Sequence, residues 1–307
     1  MPALICGSLA FDTITTFPGR FADQILPDQV HILNVSFLVP TLRREFGGCA
    51  GNIAYNLQLL GGQPVILGAL GVDGGDYQAR LEGWGADVSL IHRDRELHTA
   101  QCHITTDRDN NQITAFHPGA MSNAHEMKVP PRNQRSDLAI GIIAPDGRDA
   151  MWQHAQQMHE VGVPFIFDPG QQLPQFNDDE HRSMLAIASW VAVNDYEARM
   201  LQERTGQTPQ QWSERANVKG VIVTLAGQGC DLWQRGQSTR VNGVAATEVV
   251  DPTGCGDAFR AALLFGLERG WPLQRCAELG NRLGALKIAQ RGPQNHQLDA
   301  ATHALLN

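Results

Sequence analysis

Residues 251–257 have the sequence Asp-Pro-Thr-Gly-Cys-Gly-Asp and lead directly into an apolar stretch with helical periodicity. The backbone N–H groups of Gly254, Cys255 and Gly256 would lack partners inside that helix, and such groups bind anions, phosphate in particular. Asp257 would then lie beside a bound anion, where a carboxylate is unfavourable unless it accepts a proton. The combination indicates phosphoryl transfer to a hydroxyl group, with Asp257 as general base. An ordinary helix start after a glycine turn has a similar sequence, so the segment needs support from elsewhere in the chain.

A second glycine-rich turn, Gly47–Gly51, precedes Asn52 and another stretch of helical periodicity. Adjacent glycines allow a ligand to approach the backbone closely, and the Asn52 amide both donates and accepts hydrogen bonds, which suits sugar hydroxyl groups. Asp12, shortly after the first predicted strand, could accept two hydrogen bonds from a vicinal diol. Taken singly, an N-cap asparagine and a solvated aspartate are the more frequent interpretations of these two residues.

Two polar segments follow predicted strands later in the chain. Asn194 and Glu197 lie three residues apart at the start of a predicted helix, so they share a face and could hold Mg²⁺ through its waters. The same pair matches a capping box, which needs no metal. The loop Thr224–Gly229 could hold a nucleotide phosphate or ribose. Each segment alone is weak evidence, and their order along the chain carries more information.

The alternation of short apolar runs with helical periodicity predicts the framework that positions these segments. It is typical of an α/β fold whose mostly parallel sheet has helices on both faces, and ligands then bind at the carboxyl ends of the strands. Hairpins near 9–17 and 98–117 do not fit the alternation and predict a small second sheet that could act as a lid. The predicted strands are 3–7, 64–70, 138–144, 164–167, 190–193, 220–225 and a hairpin at 229–244, and the predicted helices are 52–60, 77–83, 147–161, 178–188, 195–205, 256–269 and 272–290.

Composition narrows the class of protein. The 307 residues carry a net charge of −8 without a basic patch, which argues against nucleic-acid binding. No stretch approaches the ~20 apolar residues that a membrane span needs. The six cysteines form neither a CxxC pair nor a cluster with zinc spacing, and we expect them to be reduced in a cytoplasmic protein.

The order of three motifs resembles that of the ribokinase-like (PfkB) family of sugar and nucleoside kinases. Gly-Gly-x-x-x-Asn at 47–52, Asn-x-x-Glu at 194–197 and Gly-x-Gly-Asp at 254–257 stand here as they do in that family, and the resemblance covers essentially the whole chain. Within the family the chain looks most similar to bacterial adenosine kinases. The segments that carry this closer resemblance are 36–39, 46–56, 115–121, 194–197 and 251–261.

The resemblance implies one ribokinase-like domain over 1–307, with a three-layer α/β/α fold and a β lid formed by about 9–45 and 98–117. It implies an ATP-dependent nucleoside kinase in which Asp257 deprotonates the 5′-hydroxyl of a purine nucleoside. Gly254, Cys255 and Gly256 would hold the γ-phosphate. The other implied residues form an acceptor site (Ser8, Asp12, Gly48, Asn52, Phe116), an ATP site (Asn194, Glu197, Thr224, Ala226, Gly227, Gly229, with Arg260 touching phosphate), a water-mediated Mg²⁺ site (Asn194, Glu197) and a K⁺ site (Asp251, Thr253, Gly292).

One departure from the resemblance concerns the acceptor base. Similar adenosine kinases present two aromatic rings to the purine, and Phe116 matches one of them, whereas Cys102 stands at the other position. The loss of a stacking ring would widen the nucleoside range and leaves a ribokinase-type sugar kinase as an alternative. A nucleotide-binding protein without catalysis is a further alternative, which the intact Asp257 argues against. The resemblance implies a small-molecule acceptor, a nucleoside or a sugar. Because similar kinases are often homodimers, we also expect a homodimer.

Overall fold

The computed structural model describes residues 1–25, 34–109 and 111–306, and this part of the chain contains thirteen strands and nine α-helices. The strands are β1 Pro2–Cys6, β2 Ala10–Thr16, β3 Thr41–Gly47, β4 Gln63–Leu70, β5 Asp87–Arg93, β6 Ala100–Thr106, β7 Gln112–His117, β8 Ile140–Ile143, β9 Phe165–Phe167, β10 Trp190–Asn194, β11 Gly220–Thr224, β12 Gly229–Gln234 and β13 Gln237–Asn242. The helices are α1 Cys49–Leu59, α2 Gly75–Gly83, α3 Arg148–Glu160, α4 Asp178–Ile187, α5 Asp195–Thr205, α6 Pro209–Ser213, α7 Cys255–Glu268, α8 Leu273–Ile288 and α9 Ala300–Leu306.

Nine strands form a large sheet in the order β13-β12-β11-β10-β9-β8-β1-β4-β5. Its strands run parallel from β11 to β5, and β12 and β13 join one edge antiparallel. The predicted mostly parallel sheet is therefore confirmed. Its register aligns Asn194 at the end of β10 with Thr224 at the end of β11, which brings two predicted nucleotide residues to the same edge.

The side chains of each central strand alternate between two hydrophobic cores. In β1, Ala3 and Ile5 pack into the core that contains α1, α2, α7 and α8, whereas Leu4 and Cys6 pack into the core that contains α3, α4, α5 and α6. This alternation follows from the two-residue period of a strand, and a strand with two apolar faces must be covered on both. The predicted three-layer α/β/α arrangement is confirmed.

A separate sheet of four strands has the order β3-β2-β6-β7. β2 is antiparallel to β3 and parallel to β6, and β6 is antiparallel to β7. The predicted second sheet and the hairpin within 98–117 are confirmed. The hairpin predicted near 9–17 is wrong, because the β-branched run has no turn residues and forms the single strand β2. Residues 26–33, within the predicted lid segment, lie outside the described residues.

Several other elements differ from their predictions. Helix α1 begins at Cys49, three residues before the predicted start, because the left-handed Gly48 (φ 83°) ends the glycine turn and the helix continues directly from it. Strand β5 was not predicted, because it lies at the edge of the sheet and its mixed polar and apolar residues do not form the apolar run of a buried strand. The short helices α6 and α9 were also not predicted.

Candidate active site

The N-terminus of α7 brings the predicted anion-binding groups together. Gly254 precedes the helix with a left-handed φ of 81°, and a Cβ there would lie 2.6 Å from the Pro293 Cβ, so the turn requires glycine. The Cys255 N–H donates to the Pro252 carbonyl at 3.2 Å. The N–H groups of Gly254 and Gly256 have no acceptor among the described residues. Two of the three predicted N–H groups are therefore free to bind an anion, and the third is engaged in the turn.

Asp257 lies in the first turn of α7 and is held by a chain of buried amides. The Asn52 amide nitrogen donates to Asp257 Oδ2 at 2.8 Å, and the Gln294 amide nitrogen donates to Asn52 Oδ1 at 3.0 Å. Gln294 also contacts the Tyr77 hydroxyl at 2.9 Å, and that hydroxyl donates to the Gly47 carbonyl at 2.6 Å. Because the Asn52 amide nitrogen donates to the carboxylate and its oxygen accepts from Gln294, the position of this side chain is fixed from both sides.

The turn at Gly47 and Gly48 packs against the residues that follow β1. A Cβ at Gly48 would lie 2.5 Å from the Ser8 carbonyl oxygen, and a Cβ at Gly47 would overlap the carboxylate of Asp12. The Ser8 hydroxyl accepts a hydrogen bond from the Cys49 N–H at 3.1 Å. The two glycines thus let the backbone pass directly beside the predicted acceptor residues.

The two carboxylates of the site both favour the protonated form more than ordinary aspartates. Burial raises the pKa of Asp257 to about 6, and the Asp168 carboxylate acts in the same direction while the Asn52 amide opposes it. Burial also raises the pKa of Asp12 to about 6, assisted by the negative charge of Asp257. A pKa near 6 leaves Asp257 mostly ionised at neutral pH but more basic than a solvent-exposed aspartate, which suits a general base.

The small sheet presents a row of side chains to this site. The register aligns Glu45, Asp12, Cys102 and Phe116 across its four strands, so these four side chains share one face. Asp12 is 9% exposed, whereas Phe116 is 49% exposed. The predicted diol-binding carboxylate and the predicted base-stacking ring therefore lie on the same face, with the Cys102 thiol between them.

Asn194 and Glu197 form the capping box that was the alternative interpretation. The Asn194 N–H donates to Glu197 Oε2 and the Glu197 N–H donates to Asn194 Oδ1, both at 2.8 Å. Glu197 Oε1 has no hydrogen-bond partner among the described residues, so one carboxylate oxygen remains for a cation. Such a donor set fits Mg²⁺ that keeps most of its waters and binds mainly to phosphates.

Arg260 forms a buried ion pair with a residue that was not predicted to belong to the site. Its Nε and Nη2 donate to the two carboxylate oxygens of Asp168 at 3.1 and 3.0 Å, and both side chains are about 6% exposed. Asp168 follows β9 at the carboxyl edge of the sheet. A Cβ at Gly256 would lie 3.7 Å from Arg260 Nη1, so the guanidinium is close to the anion-binding turn, although its main partner is a carboxylate.

A cavity of about 360 Å³ joins the predicted ATP residues to the start of α7. Its walls include residues of the loop after β11, of the start of α7 and of α8, and most of the other lining residues are apolar. The lining includes Thr224, Ala226, Gly227, Gly229, Cys255, Gly256, Arg260, Val244, Ala245, Ala246, Val249, Asn281 and Ile288. This arrangement suits a nucleotide whose base lies against an apolar wall and whose phosphates reach the anion-binding N–H groups.

The residues predicted for potassium also come together, around the carboxylate of Asp251. Its Oδ1 accepts the Thr253 N–H at 3.0 Å and its Oδ2 accepts the Gly292 N–H at 2.9 Å. The Asp251 carbonyl, however, accepts from the ammonium of Lys287 at 2.7 Å, and the same ammonium donates to the Gln290 carbonyl at 3.0 Å. A cation already belongs to this cluster, so these residues do not fit an additional K⁺.

Sequence reasoning missed the residues that act through long-range contacts. Gln294 and Tyr77 support Asn52, and Lys287 reaches Asp251, but each partner is distant in the chain. Asp168 ends a predicted strand in Asp-Pro-Gly, which marks it as an edge residue without indicating its partner. The one available signal for Lys287 was its rarity, because the chain has only three lysines.

Comparisons with known proteins agree with this geometry. Residues 20–300 match the pfkB family carbohydrate kinase model. The structure is similar to that of a Burkholderia thailandensis nucleoside kinase in complex with inosine, with 44% identity, a TM-score of 0.87, and 99% of this chain and 96% of the other covered.

A structure of the Burkholderia kinase in complex with ADP-inosine gives 46% identity and a TM-score of 0.84, with 99% and 94% of the two chains covered. A Methanocaldococcus jannaschii nucleoside kinase, an archaeal member of the ribokinase family, has 26% identity and a TM-score of 0.88, with 99% and 97% covered.

Proposed function

Because the chain belongs to the pfkB family of carbohydrate kinases, we propose that it is an ATP-dependent nucleoside kinase that phosphorylates the 5′-hydroxyl of a purine nucleoside. One observation carries the proposal. The Asp257 carboxylate, fixed by Asn52 at 2.8 Å, lies in the helical turn whose Gly254 and Gly256 N–H groups are open to an anion. A base and a phosphate site are thus adjacent.

In the proposed reaction Asp257 accepts the proton of the 5′-hydroxyl. The hydroxyl oxygen forms a bond to the γ-phosphorus, the bond from that phosphorus to the bridging oxygen of ADP breaks, and the electron pair stays on ADP. The open N–H groups stabilise the charge on the transferred phosphoryl group. Positioning and charge stabilisation are the main requirements of such a transfer, and a helix N-terminus supplies both without a lysine from a phosphate-binding loop.

The acceptor would bind between the two sheets. Asp12, Asn52 and the backbone at Gly48 would hold the ribose hydroxyls, with Ser8 supporting the turn behind them. Phe116 would stack on the base. The inosine complex of the Burkholderia relative supports a purine nucleoside as acceptor.

The donor would occupy the cavity that ends at α7, lined in part by Thr224, Ala226, Gly227 and Gly229. Mg²⁺ would be held by Glu197 through water, with Asn194 fixing the orientation of that carboxylate. The ion would neutralise phosphate charge during transfer. Arg260 would contribute positive charge close to Gly256 while Asp168 holds its guanidinium in place.

The test is a panel of purine nucleosides, pyrimidine nucleosides and free sugars, each incubated with ATP and Mg²⁺ while ADP formation is measured. We expect phosphorylation of inosine, guanosine or adenosine at lower concentration than any sugar. An absence of turnover with every nucleoside would refute the proposal, and mass spectrometry of the product would identify the phosphorylated position.

A sugar kinase is the second candidate, and Cys102 is the observation that favours it. The thiol lies beside Phe116 where a second stacking ring would strengthen purine binding. Turnover of ribose or fructose at lower concentration than any nucleoside would select this alternative. A nucleotide-binding protein without catalysis would show no ADP formation with any acceptor.

Domain organisation, location and oligomeric state are also part of the proposal. We propose one domain over 1–307, with the small sheet closing over the acceptor as a lid. The six cysteines are unpaired, which supports a cytoplasmic location, and no helix of the described residues is long and apolar enough to cross a membrane. A homodimer would be tested by light scattering.

A further inference from the structure

Lys287 is the only lysine of the described chain whose side chain is completely buried, with 0% of its surface exposed. A buried ammonium is unfavourable unless charged or polar groups surround it. Lys287 satisfies this requirement with two backbone carbonyl oxygens, those of Asp251 at 2.7 Å and Gln290 at 3.0 Å. Neither contact belongs to the proposed reaction, so the position of this ammonium needs its own explanation.

The contacts of Lys287 fix the segment that enters α7. The Val250 and Asp251 N–H groups donate to the Ile288 carbonyl at 2.9 and 3.0 Å, and the ammonium binds the Asp251 carbonyl from the same helix. Gly254, whose N–H is open to an anion, follows three residues later. The end of α8 therefore holds the anion-binding turn through backbone bonds and one buried charge.

The local charges favour a buried cation at this position. The Asp251 carboxylate is 7% exposed, and its two oxygens accept the Thr253 and Gly292 N–H groups. Its Oδ2 also lies 3.7 Å from Nη2 of Arg43, a guanidinium that is 36% exposed. Solvent weakens the compensation that the exposed Arg43 provides, and the remaining negative charge would oppose a phosphate bound at the start of α7.

We infer that Lys287 is a built-in monovalent cation of the phosphate site, so that the enzyme does not depend on potassium. An ammonium and a potassium ion both carry one positive charge and both bind carbonyl oxygens, and here the ammonium holds the carbonyls of Asp251 and Gln290. Lys287 is a positioning residue, because it acts through the Asp251–Gly254 turn. This inference rests on the proposed phosphoryl transfer.

The simpler interpretation is that Lys287 caps the C-terminus of α8, where carbonyl groups lack helical partners and positive charge is favourable. The two interpretations differ in one consequence. If the ammonium only caps the helix, potassium should not restore a variant that lacks it. If the ammonium replaces a cation of the phosphate site, removal of the side chain should create a potassium requirement.

The experiment measures kinase rates in potassium chloride and in tetramethylammonium chloride at equal ionic strength. ATP and ADP are separated by chromatography, so that no coupling enzyme responds to the salt. The variants are Lys287→Ala, which leaves room for an ion, and Lys128→Ala as a matched control. Lys128 donates to the His125 carbonyl at the same distance of 2.7 Å but is exposed.

We expect the wild-type and Lys128→Ala rates to agree within about twofold in the two salts. We expect Lys287→Ala to lose at least tenfold in tetramethylammonium chloride and to recover most of that loss in potassium chloride. Saturable activation of the wild type by potassium would overturn the inference. A Lys287→Ala loss that potassium does not repair would also overturn it, because the lysine would then be only a cap.

A second measurement separates this inference from the proposed function. Thermal unfolding of the wild type should be the same in the two salts, and that of Lys287→Ala should shift upward in potassium chloride. This readout does not need turnover, so it remains decisive if no acceptor is phosphorylated. If the variant does not fold, potassium-induced stabilisation of the wild type would count against the inference and identical melting curves would support it.

Discussion

The start of α7 and the open face of the small sheet differ in how firmly their side chains are held. Asn52 and Gln294, which position Asp257, are 4% and 3% exposed and are hydrogen-bonded on both sides. Phe116 is 49% exposed and stands on a strand whose six residues are all exposed. The groups that position the proposed base are buried and hydrogen-bonded on both sides, whereas the ring proposed to contact the acceptor base lies on an open strand.

This difference indicates that reaction and acceptor choice are separable in the molecule. A change at the start of α7 should reduce the rate of transfer with every acceptor, because the same base and N–H groups serve them all. A change on the small sheet should alter which acceptor binds while the rate at saturation stays nearly constant. Substitutions in each region test this separation.

Asp257→Asn should reduce kcat by about 10²–10⁴, because the amide cannot accept the hydroxyl proton. It should change the dissociation constant of a nucleoside only a few-fold, since the side-chain shape is kept. Steady-state rates and equilibrium binding by calorimetry measure the two quantities. A parallel loss of binding would show that Asp257 serves recognition more than chemistry.

Gly254→Ala should reduce kcat by roughly 10²-fold, comparable to the loss of one oxyanion donor, because a left-handed φ of 81° and the Pro293 contact both oppose a Cβ. Gly270→Ala is the matched control, with φ of 71° and open space around its Cβ position. The control should lose about 1–2 kcal/mol of stability from the left-handed backbone but keep its kcat. Equal kcat losses in the two variants would contradict the assignment.

Phe116→Ala should raise KM for purine nucleosides about 5- to 150-fold and leave kcat within about threefold, as expected from the loss of ~1–3 kcal/mol of base stacking. Ile113→Ala is the control, because Ile113 is similarly exposed but lies on the opposite face of β7. A loss of kcat in Phe116→Ala would remove the distinction between the two regions.

The smallest effect concerns stability. Burial raises the folded-state pKa of Asp257 from 3.8 to about 6, so ionisation destabilises the fold as pH rises through 6. Asn carries no such charge, and Asp257→Asn should therefore melt at higher temperature than the wild type at pH 8 but not at pH 4. The gain should be on the order of 1–3 kcal/mol, measured by denaturant unfolding at both pH values. A variant less stable than the wild type at pH 8 would contradict this sign.

At the start of α7, the sequence predicted the residues of the motif but not the distant residues that hold them in place. Gly254 and Asp257 could be predicted because they belong to one short segment, residues 254–257, at the start of a helix. Gln294 could not be found, because it reaches Asn52 across 242 positions and no local pattern marks an amide that bonds another amide. Lys287 has the helical periodicity of its neighbours, and apart from the rarity of lysine in the chain, only its burial distinguishes it.

The small sheet was predicted less accurately than the large one. Buried parallel strands such as β10 are short apolar runs that can be recognised without their partners. Strand β3 has the residues Thr-Leu-Arg-Arg-Glu-Phe-Gly, in which only the pairing to β2 defines a strand. The position of Cys102 beside Phe116 comes from the pairing of β6 with β7, within the hairpin that was predicted. The alignment of Asp12 with Cys102 comes from the pairing of β2 with β6, which no local pattern in the sequence indicates.

The most direct test of the central claim is the single-turnover rate of phosphoryl transfer from ATP to saturating inosine between pH 5 and pH 9. Saturation removes effects on acceptor binding, including those of Asp12. We predict that the wild-type rate rises with pH through about 6 and then levels off, and that Asp257→Asn is at least 10²-fold slower without this rise. An Asp257→Asn variant with the wild-type rate and pH profile would contradict the account.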